Sequence, residues 1–598
     1  MDKPKAILEL EERYGISLEE AEVNRIAHPL DSNCYCTEQG KITHLNLNYN
    51  KIRGLGGLEH LTQLKMLNLR RSQIRDLGGL EHLAQLKILD LSNNQISDLK
   101  GLEYLTQLKT LDLLHNKISD LSGLEHLTQL KTLNLRYNEI SDLNKLKHLT
   151  KLKTLKLSYI RDLDGLECLT QLRTLDLECY KINNLSKLEH LTQLQTLTLS
   201  GGFRDFGEFK HLSQLQQLKT LNLCENDISD LSGFEHLPQL QQLKKLDLSG
   251  NQISDLSGLE HLTQLKMLDL SANDIRDLNK LKHLTKLKTL RLSYNNIQDL
   301  DGIEHLTQLQ TLDLRCYHCD LGVLGYLAKL QAKALEDNRI SDLSELEHLS
   351  KLNQLQELDL RDNRISDLSG LEHLSKLSQL QELDLSGNKI SDLNGLEFLT
   401  QLQALDLGEN QISDLKGLEH LAQLQELNLW GNQISDLSGL KHLTQLETLI
   451  LHSNQISDLK GLEHLAQLRE LNLLHNQVSD LSGLKHLTQL QKLDLCANDI
   501  SDLKGLEHLA QLQELSLLRN QISDLSGLER LTQLQELDLS YNEISETEIL
   551  EKIVQNENLI DIRINNNPFI EENFWVFRES NHLNDLRKYF SEKQQKSP

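Results

Sequence analysis

Residues 86–96, LKILDLSNNQI, return 22 residues later as LKTLDLLHNKI at 108–118, and SDLKGLEYLTQ joins the two. The unit is thus LxxLxLxxNxI followed by SDLxGLEHLTQ, and about 24 copies run from Ile42 through Leu64, Leu86 and Leu108 to Leu534 and Leu559. In LxL the two leucines point the same way, because side chains alternate along a strand. The Asn at unit position 9 suits a turn, and its amide can satisfy backbone groups of a neighbouring coil. In the second half of the unit, Ser122-Gly-Leu-Glu125 has the spacing of a capping box and predicts a short helix. One strand and one helical turn cannot bury their leucines alone, whereas stacked copies can.

The pattern resembles the leucine-rich repeat family in the 22-residue bacterial form of the internalins, over roughly residues 42–569. The resemblance implies an α/β solenoid, a horseshoe or arc with a concave parallel β-sheet of about 24 strands and short convex helical segments. Strands about 4.8 Å apart would give an arc of roughly 110 Å. Helical caps are expected at 1–41 and 570–598. At the front, residues 3–13 read as a helix stopped by Gly15, and Ser17-Leu-Glu-Glu20 reads as a second capping box. At the back, Asn567-Pro-Phe569 closes the last repeat, and Phe574, Trp575 and Phe577 are expected to cover its leucines. That ending is similar to the end of bacterial Ras-like-GTPase leucine-rich proteins, but no phosphate-binding P-loop is present, so the GTPase activity is not implied.

The register breaks at 158–161, where the turn Asn is missing, at 200–206, and at 315–333, the poorest match in the chain. Tyr180 and Tyr317 stand at turn-Asn positions. HLSQLQQL at 211–218, HLPQLQQL at 236–243 and two HLSKLxQL segments carry three extra residues, about one further helical turn.

Composition narrows the function. The 598 residues carry 63 Lys+Arg against 88 Asp+Glu, a formal net charge of −25 with no basic run, which argues against nucleic-acid or anionic-membrane partners. No apolar run reaches the ~18 residues of a membrane span, and the charged start is not a signal peptide. Eight unevenly spaced cysteines do not form a disulfide framework, so a cytoplasmic, reducing setting is expected. Of 24 histidines, seventeen (His60, His82, His126, His420 and His464 among them) occupy one unit position, a property of the repeat rather than of a metal site. Cys316-Tyr-His318-Cys319 and Cys34-x-Cys36 lie too far apart to make a four-ligand zinc set. No hydrolase elbow or metalloprotease motif appears, so neither enzyme, cofactor nor metal is expected.

The chain also contains its own comparison. Residues 410–453, 454–497 and 498–541 are tandem copies of a 44-residue double unit. The first two differ at 9 sites, 8 of which fall at unit positions 2, 3, 5, 7 and 8, the outward side of the strand and its exit. Those positions hold Trp430, Ile450, His452, Leu474, His475, Leu518, Arg519 and Tyr541 late in the chain, and Tyr49, Arg70, Arg71, His115, Arg136, Tyr137 and Tyr159 early in it. Aromatic and Arg anchors of this kind dominate interfaces. Positions 2 and 3 also shift from Lys-Thr (Lys109-Thr110, Lys131-Thr132, Lys153-Thr154) to Gln-Glu (Gln356-Glu357, Gln381-Glu382, Gln513-Glu514), so the concave face should run from basic to acidic. The sequence therefore predicts a non-catalytic scaffold binding a protein or peptide on its concave face. The alternatives are a regulatory arm for a separately encoded GTPase, kinase or phosphatase, an internalin-like surface adhesin, or a spacer. Oligomeric state is open.

Overall fold

The computed structural model describes residues 3–22, 33–179, 182, 185–202, 206–237, 240–297, 299–315, 340, 343–545, 547–569 and 582–596. The chain forms two compact units, Met1–Ile275 with Lys280–Leu287, and Arg276–Asn279 with Lys288–Pro598. In the first, strands Met66–Asn68, Ile88–Asp90, Thr110–Asp112 and Thr132–Asn134 pair in parallel, each with the next, and Leu67, Leu89, Leu111 and Leu133 stand in register. In the second, the same ladder runs from Thr289–Arg291 to Asp561–Arg563. Each unit is thus a stack of coils, a segment of solenoid. Both leucines of LxL are fully buried, as Leu89 and Leu91 show. Each such side chain contributes about 1.5–3 kcal/mol of burial.

The turn asparagines tie one coil to the next. Asn454 donates from Nδ2 to Leu429 O of the preceding coil at 2.9 Å and to Leu451 O of its own at 3.0 Å. Its Oδ1 accepts the Ile434 N–H at 3.0 Å. Asn116, Asn273, Asn410 and Asn542 repeat the pattern. These amides are buried, so they fill backbone partners that water cannot reach.

The second half of the unit departs from the expected capping box. Ser122 N–H and Oγ both bond Asp120 Oδ1, at 3.0 and 2.9 Å, and Gly123 N–H donates to Glu125 Oε2 at 2.7 Å. Two carboxylates latch two successive turns, which lead into a three-residue 3-10 helix, Leu124–His126. The glycine is required: at Gly461, φ is 110° and a Cβ would collide with Leu437 O of the coil before it. The segments with three extra residues lengthen the 3-10 helix to Phe206–Gln214, Leu343–Lys351 and Ser369–Lys376.

Irregular repeats are absorbed locally. Ser72 replaces the turn Asn, and its hydroxyl bonds Leu47 O at 3.2 Å. Where the Asn is missing near Tyr159, the strands lengthen to Thr154–Ile160, Thr174–Cys179 and Thr196–Ser200. Strand Thr311–Asp313 pairs directly with Glu357–Asp359, and Ile340 N–H reaches Asn363 Oδ1 at 3.3 Å. Among the described residues, the strand that follows Thr311–Asp313 in the ladder is thus Glu357–Asp359. Residues 316–339, with Tyr317 and the Cys316-Tyr-His318-Cys319 cluster, lie outside the described residues, as does Tyr180.

At the front, helix Lys5–Tyr14 ends at Gly15 in the left-handed conformation, and Tyr14 Oη donates to Gly56 O at 2.7 Å. Burial pushes the Tyr14 hydroxyl up to about 12. The capping box expected at Ser17–Glu20 is instead a strand, Glu19–Glu20, paired with Cys34–Tyr35. Strand Cys34–Glu38 then lies antiparallel to Lys41–Asn46 and covers the open edge of the ladder. At the back, helix Glu548–Val554 stands between strands Glu536–Asp538 and Asp561–Arg563, and helix Leu583–Lys596 follows the last strand, with Leu583, Leu586 and Phe590 buried. Phe574, Trp575 and Phe577 lie outside the described residues. Among the described residues, no helix is long and apolar enough to cross a membrane.

The amide bonds and the carboxylate latches can each be tested. Asn454→Ala leaves the buried Ile434 N–H without its hydrogen-bond partner, at about 1–3 kcal/mol, while Leu429 O keeps the Asn432 amide. Amide exchange at Ile434 should accelerate while exchange two coils away stays unchanged. The latches respond to acid. Backbone N–H groups, its own first and then that of Gly461, hold the Glu463 carboxyl below its ordinary 4.5, and Glu419 is held down in the same way. A depressed folded pKa means the latch stabilises fully above 4.5 and is lost as pH falls through the lower folded value. The thermal unfolding midpoint should therefore drop below pH 4.5, and a Glu419→Gln/Glu463→Gln variant should show a shallower acid loss.

Candidate functional site

The outward face of each strand presents unit positions 3 and 5, and the chain leaving it presents 7 and 8. At position 8 the backbone enters the left-handed region in coil after coil: Tyr49 φ 61°, Arg71 55°, His115 57°, Tyr137 56°, Tyr159 60°, His475 54°, Arg519 58° and Tyr541 57°. Glycine occupies the position at Gly250, Gly387 and Gly431. A β-carbon there costs roughly 1–2 kcal/mol, so these rings and guanidinium groups sit where local energetics favour a residue without one. The turn also throws the side chain outward, and Tyr137 and Tyr159 are 42% and 54% exposed.

In the first unit, position 8 forms a ring column. His115 and Tyr137 have centroids 6.4 Å apart, Tyr137 and Tyr159 meet edge to face at 6.0 Å, and Arg71 lies over Tyr49 at 5.3 Å. Position 7 contributes Arg70 and Arg136. Arg136 Nη2 donates to Asp176 Oδ1 at 2.6 Å, two coils on, while the Nε of Arg136 and that of Arg70 are buried with no hydrogen-bond partner. The structure therefore brings Tyr49 with Arg71, and His115 with Tyr137, Tyr159 and Arg136.

In the second unit, position 7 makes the column. Glu409 N–H donates to Trp430 O, Gly431 N–H to His452 O and Ser453 N–H to Leu474 O, which places Gly408, Trp430, His452 and Leu474 one coil apart in order. Trp430 stacks on His452 with centroids 5.0 Å apart and planes 26° apart. Its indole also lies over Gly408, where a Cβ would overlap Trp430 Cδ1 and Nε1. The sequence reading missed Gly408, and the signal was a glycine at position 7 of the coil before the only tryptophan at that position. The apolar residues of these outward positions do not form one exposed stripe. Trp430, Ile450, Leu474 and Leu518 are half-buried, because neighbours in the column cover one another. Cys496, buried and bonded to Ser516 Oγ at 2.8 Å, separates Leu474 from Leu518. Ile450 lies in a different column, between Asn428 and Asn472. His475 and Arg519 are exposed, and Arg519 sits over Tyr541 at 5.4 Å.

Position 5 of the second unit carries Asp313, Asp359, Asp384 and Asp406 in register. Arg315 and Arg361, which the sequence reading did not single out, interleave with them: Arg315 reaches Asp313 at 2.6 Å and Asp359 at 3.4 Å, and Arg361 reaches Asp359 at 2.7 Å and Asp384 at 3.2 Å. Burial pushes the Asp359 carboxyl up, against the pull of Arg361. Further along, a polar groove of about 280 Å³ is lined by Glu470, Lys492, Asp494, Glu514, Glu536 and Asp538.

In the first unit, the lysines read at unit position 2 stack into a basic track. Lys109 N–H donates to Lys87 O, Lys131 N–H to Lys109 O, Lys153 N–H to Lys131 O and Arg173 N–H to Lys153 O. The sequence holds no basic run, yet residues 20 or 22 apart become neighbours at about 4.8 Å. Among the described residues, no group of three His, Cys, Asp or Glu side chains could hold a metal. Cys34 and Cys36 are both buried.

Leucine-rich-repeat family models match residues 372–487, then 41–82, 84–126, 241–283, 285–325 and 488–530, then 126–143, 351–371 and 530–547. No curated protein matches the chain. Among solved structures, an internalin, inlF, from Listeria monocytogenes is 31% identical over 54% of this chain and 87% of its own, with a TM-score of 0.45. A plant peptide hormone receptor solved with the peptide RGF2 is 21% identical over 88% and 90%, at 0.45. TLR13 solved with ssRNA13 is 22% identical over 88% and 95%, at 0.48.

The Gly408–Trp430–His452 stack has a direct optical test. In a Trp575→Phe background Trp430 is the sole tryptophan, since the chain has 2. Gly408→Ala should expel the indole and shift its emission to the red, with circular dichroism unchanged. Burial, chiefly, holds the His452 imidazole below its ordinary 6.5. Trp430 quenching by the imidazolium should therefore titrate with a midpoint below 6.5.

Proposed function

Because this chain belongs to the leucine-rich-repeat family, we propose that it is a non-catalytic interaction protein that binds a protein or peptide on the solvent face of its sheet. The observation that carries this reading is the Trp430 column. The side chains of these columns are ring, guanidinium and aliphatic anchors, set out at one-strand intervals on a parallel ladder. Trp430 is seated between Gly408 and His452 and stays partly exposed, as an interface anchor does. Tyr541 and Arg519, and in the first unit Tyr137 and Tyr159, occupy left-handed positions that a glycine would fill with less strain, which fits retention for contact rather than for folding.

The reading is tested by affinity capture from native extract with wild type and a Trp430→Ala/Leu474→Ala variant whose circular dichroism matches wild type. The expected outcome is a partner held by wild type and weakened at least tenfold by the variant. Equal capture by both proteins removes the Trp430 column from the interface. A partner that turns over a substrate only when the chain is bound would identify it as the regulatory arm of a separate enzyme.

A further inference from the structure

We propose that the position-2 column of the first unit, Lys65, Lys87, Lys109, Lys131, Lys153 and Arg173, is a docking track for an extended acidic polypeptide. The inference rests on the reading of the sheet face as a protein-binding surface and names the chemistry of one partner segment.

The column is fixed by backbone bonds from each residue to the one before it, from Lys87 N–H to Lys65 O through Arg173 N–H to Lys153 O, all 2.8–2.9 Å. Six cations therefore stand one strand apart over about 24 Å. Lys65 pairs with Glu38. Among the described residues, Lys87, Lys109, Lys131, Lys153 and Arg173 make no ion pair within 4 Å. Like charges facing one another across a sheet are destabilising, so this arrangement costs the isolated chain stability that an anionic partner would return.

The rest of that face does not neutralise the track. Its acids, Asp90, Asp112, Asp176 and Glu178, share positions 5 and 7 with Arg70, Arg136 and Lys156, and Arg136 already holds Asp176 at 2.6 Å. Beside the lysines, position 3 carries Thr110, Thr132, Thr154 and Thr174 in register, a row of neutral hydroxyls. A chain of net charge −25 thus presents a local line of uncompensated cations.

The geometry favours a polypeptide over a nucleic acid. Single-strand binders set aromatic platforms beside their cationic track. Here His115, Tyr137 and Tyr159 stand at position 8, six residues along the coil or about 20 Å away, and the Asp90–Asp112 column lies between, facing any phosphodiester backbone. An extended peptide with an acid at every second residue places carboxylates about 6.6 Å apart, and four-carbon stems spaced about 4.8 Å can spread to meet them. The threonine hydroxyls would serve its backbone.

The test uses the full chain and fluorescence anisotropy with a fluorescein-labelled decapeptide alternating Glu and Ser. The comparison probes are a Lys/Ser decapeptide and a ten-nucleotide single-stranded RNA. The expected result is saturable binding of the Glu/Ser peptide, weakened at least tenfold in Lys109→Gln/Lys131→Gln/Lys153→Gln and at least tenfold on raising salt from about 50 to 500 mM, as screening at a Debye length of a few Å requires. The control variant Lys100→Gln/Lys117→Gln/Lys147→Gln removes the same charge elsewhere on these coils and should change binding less than twofold. Equal loss in both variants, tighter binding of the RNA, or no binding at millimolar peptide overturns the track. A chain that captures its partner through Trp430 yet ignores the peptide overturns the track alone. A chain that does neither overturns both readings.

Discussion

The buried asparagine amide at unit position 9 is the bond on which the coils depend. A strand of three residues leaves most of the backbone in each coil without a sheet partner, and those groups are sealed from water by leucines on either side. One carboxamide supplies two donors and an acceptor at that point, so Asn454 serves its own coil and the coil before it at once. The coil-to-coil distance, the direction of the exit turn and the register of every outward column are set by that shared bond. Where the amide is absent, the backbone finds another way to be satisfied: a hydroxyl at Ser72, or longer strands after Tyr159.

On the opposite side of each coil, carboxylates take the equivalent role in water. The Asp of SDL and the Glu of EHL each accept a backbone N–H two residues away, and they hold turns that are too short to be helices. This is why a strongly acidic chain folds without a matching set of ion pairs. Many of its acids are satisfied by the main chain and remain charged at neutral pH.

With register fixed, recognition becomes a question of columns rather than of sequence neighbours. A residue's contacts are set by what stands at the same unit position one coil before and after it. Trp430 is held by an absent side chain at Gly408 and by a ring at His452, 22 residues away on either side. The aspartates of the second unit tolerate one another because Arg315 and Arg361 fall between them. Among the described residues, Lys87, Lys109, Lys131, Lys153 and Arg173 have no such partner, and that difference separates a structural charge column from one left for a ligand.

The sequence by itself determined the coil: its length, its inward leucines, its turn asparagine, and the outward positions at which the tandem copies differ. Those features are periodic, and a period survives any error in locating one residue. The helical segments were less legible, since S-x-x-E spacing at Ser122 and Ser17 suits a capping box, whereas neighbouring carboxylates and an available strand edge offered the backbone better partners. What only the tertiary structure decided was adjacency. It paired Thr311–Asp313 directly with Glu357–Asp359, it half-buried Trp430, Leu474 and Leu518 against their column neighbours, and it set Arg315 and Arg361 between aspartates one coil apart. The physical reason is common to all three: a parallel ladder brings together residues one repeat apart, and whether such neighbours cover, clash with or repel one another depends on side-chain size and charge across coils, which no single stretch of sequence contains.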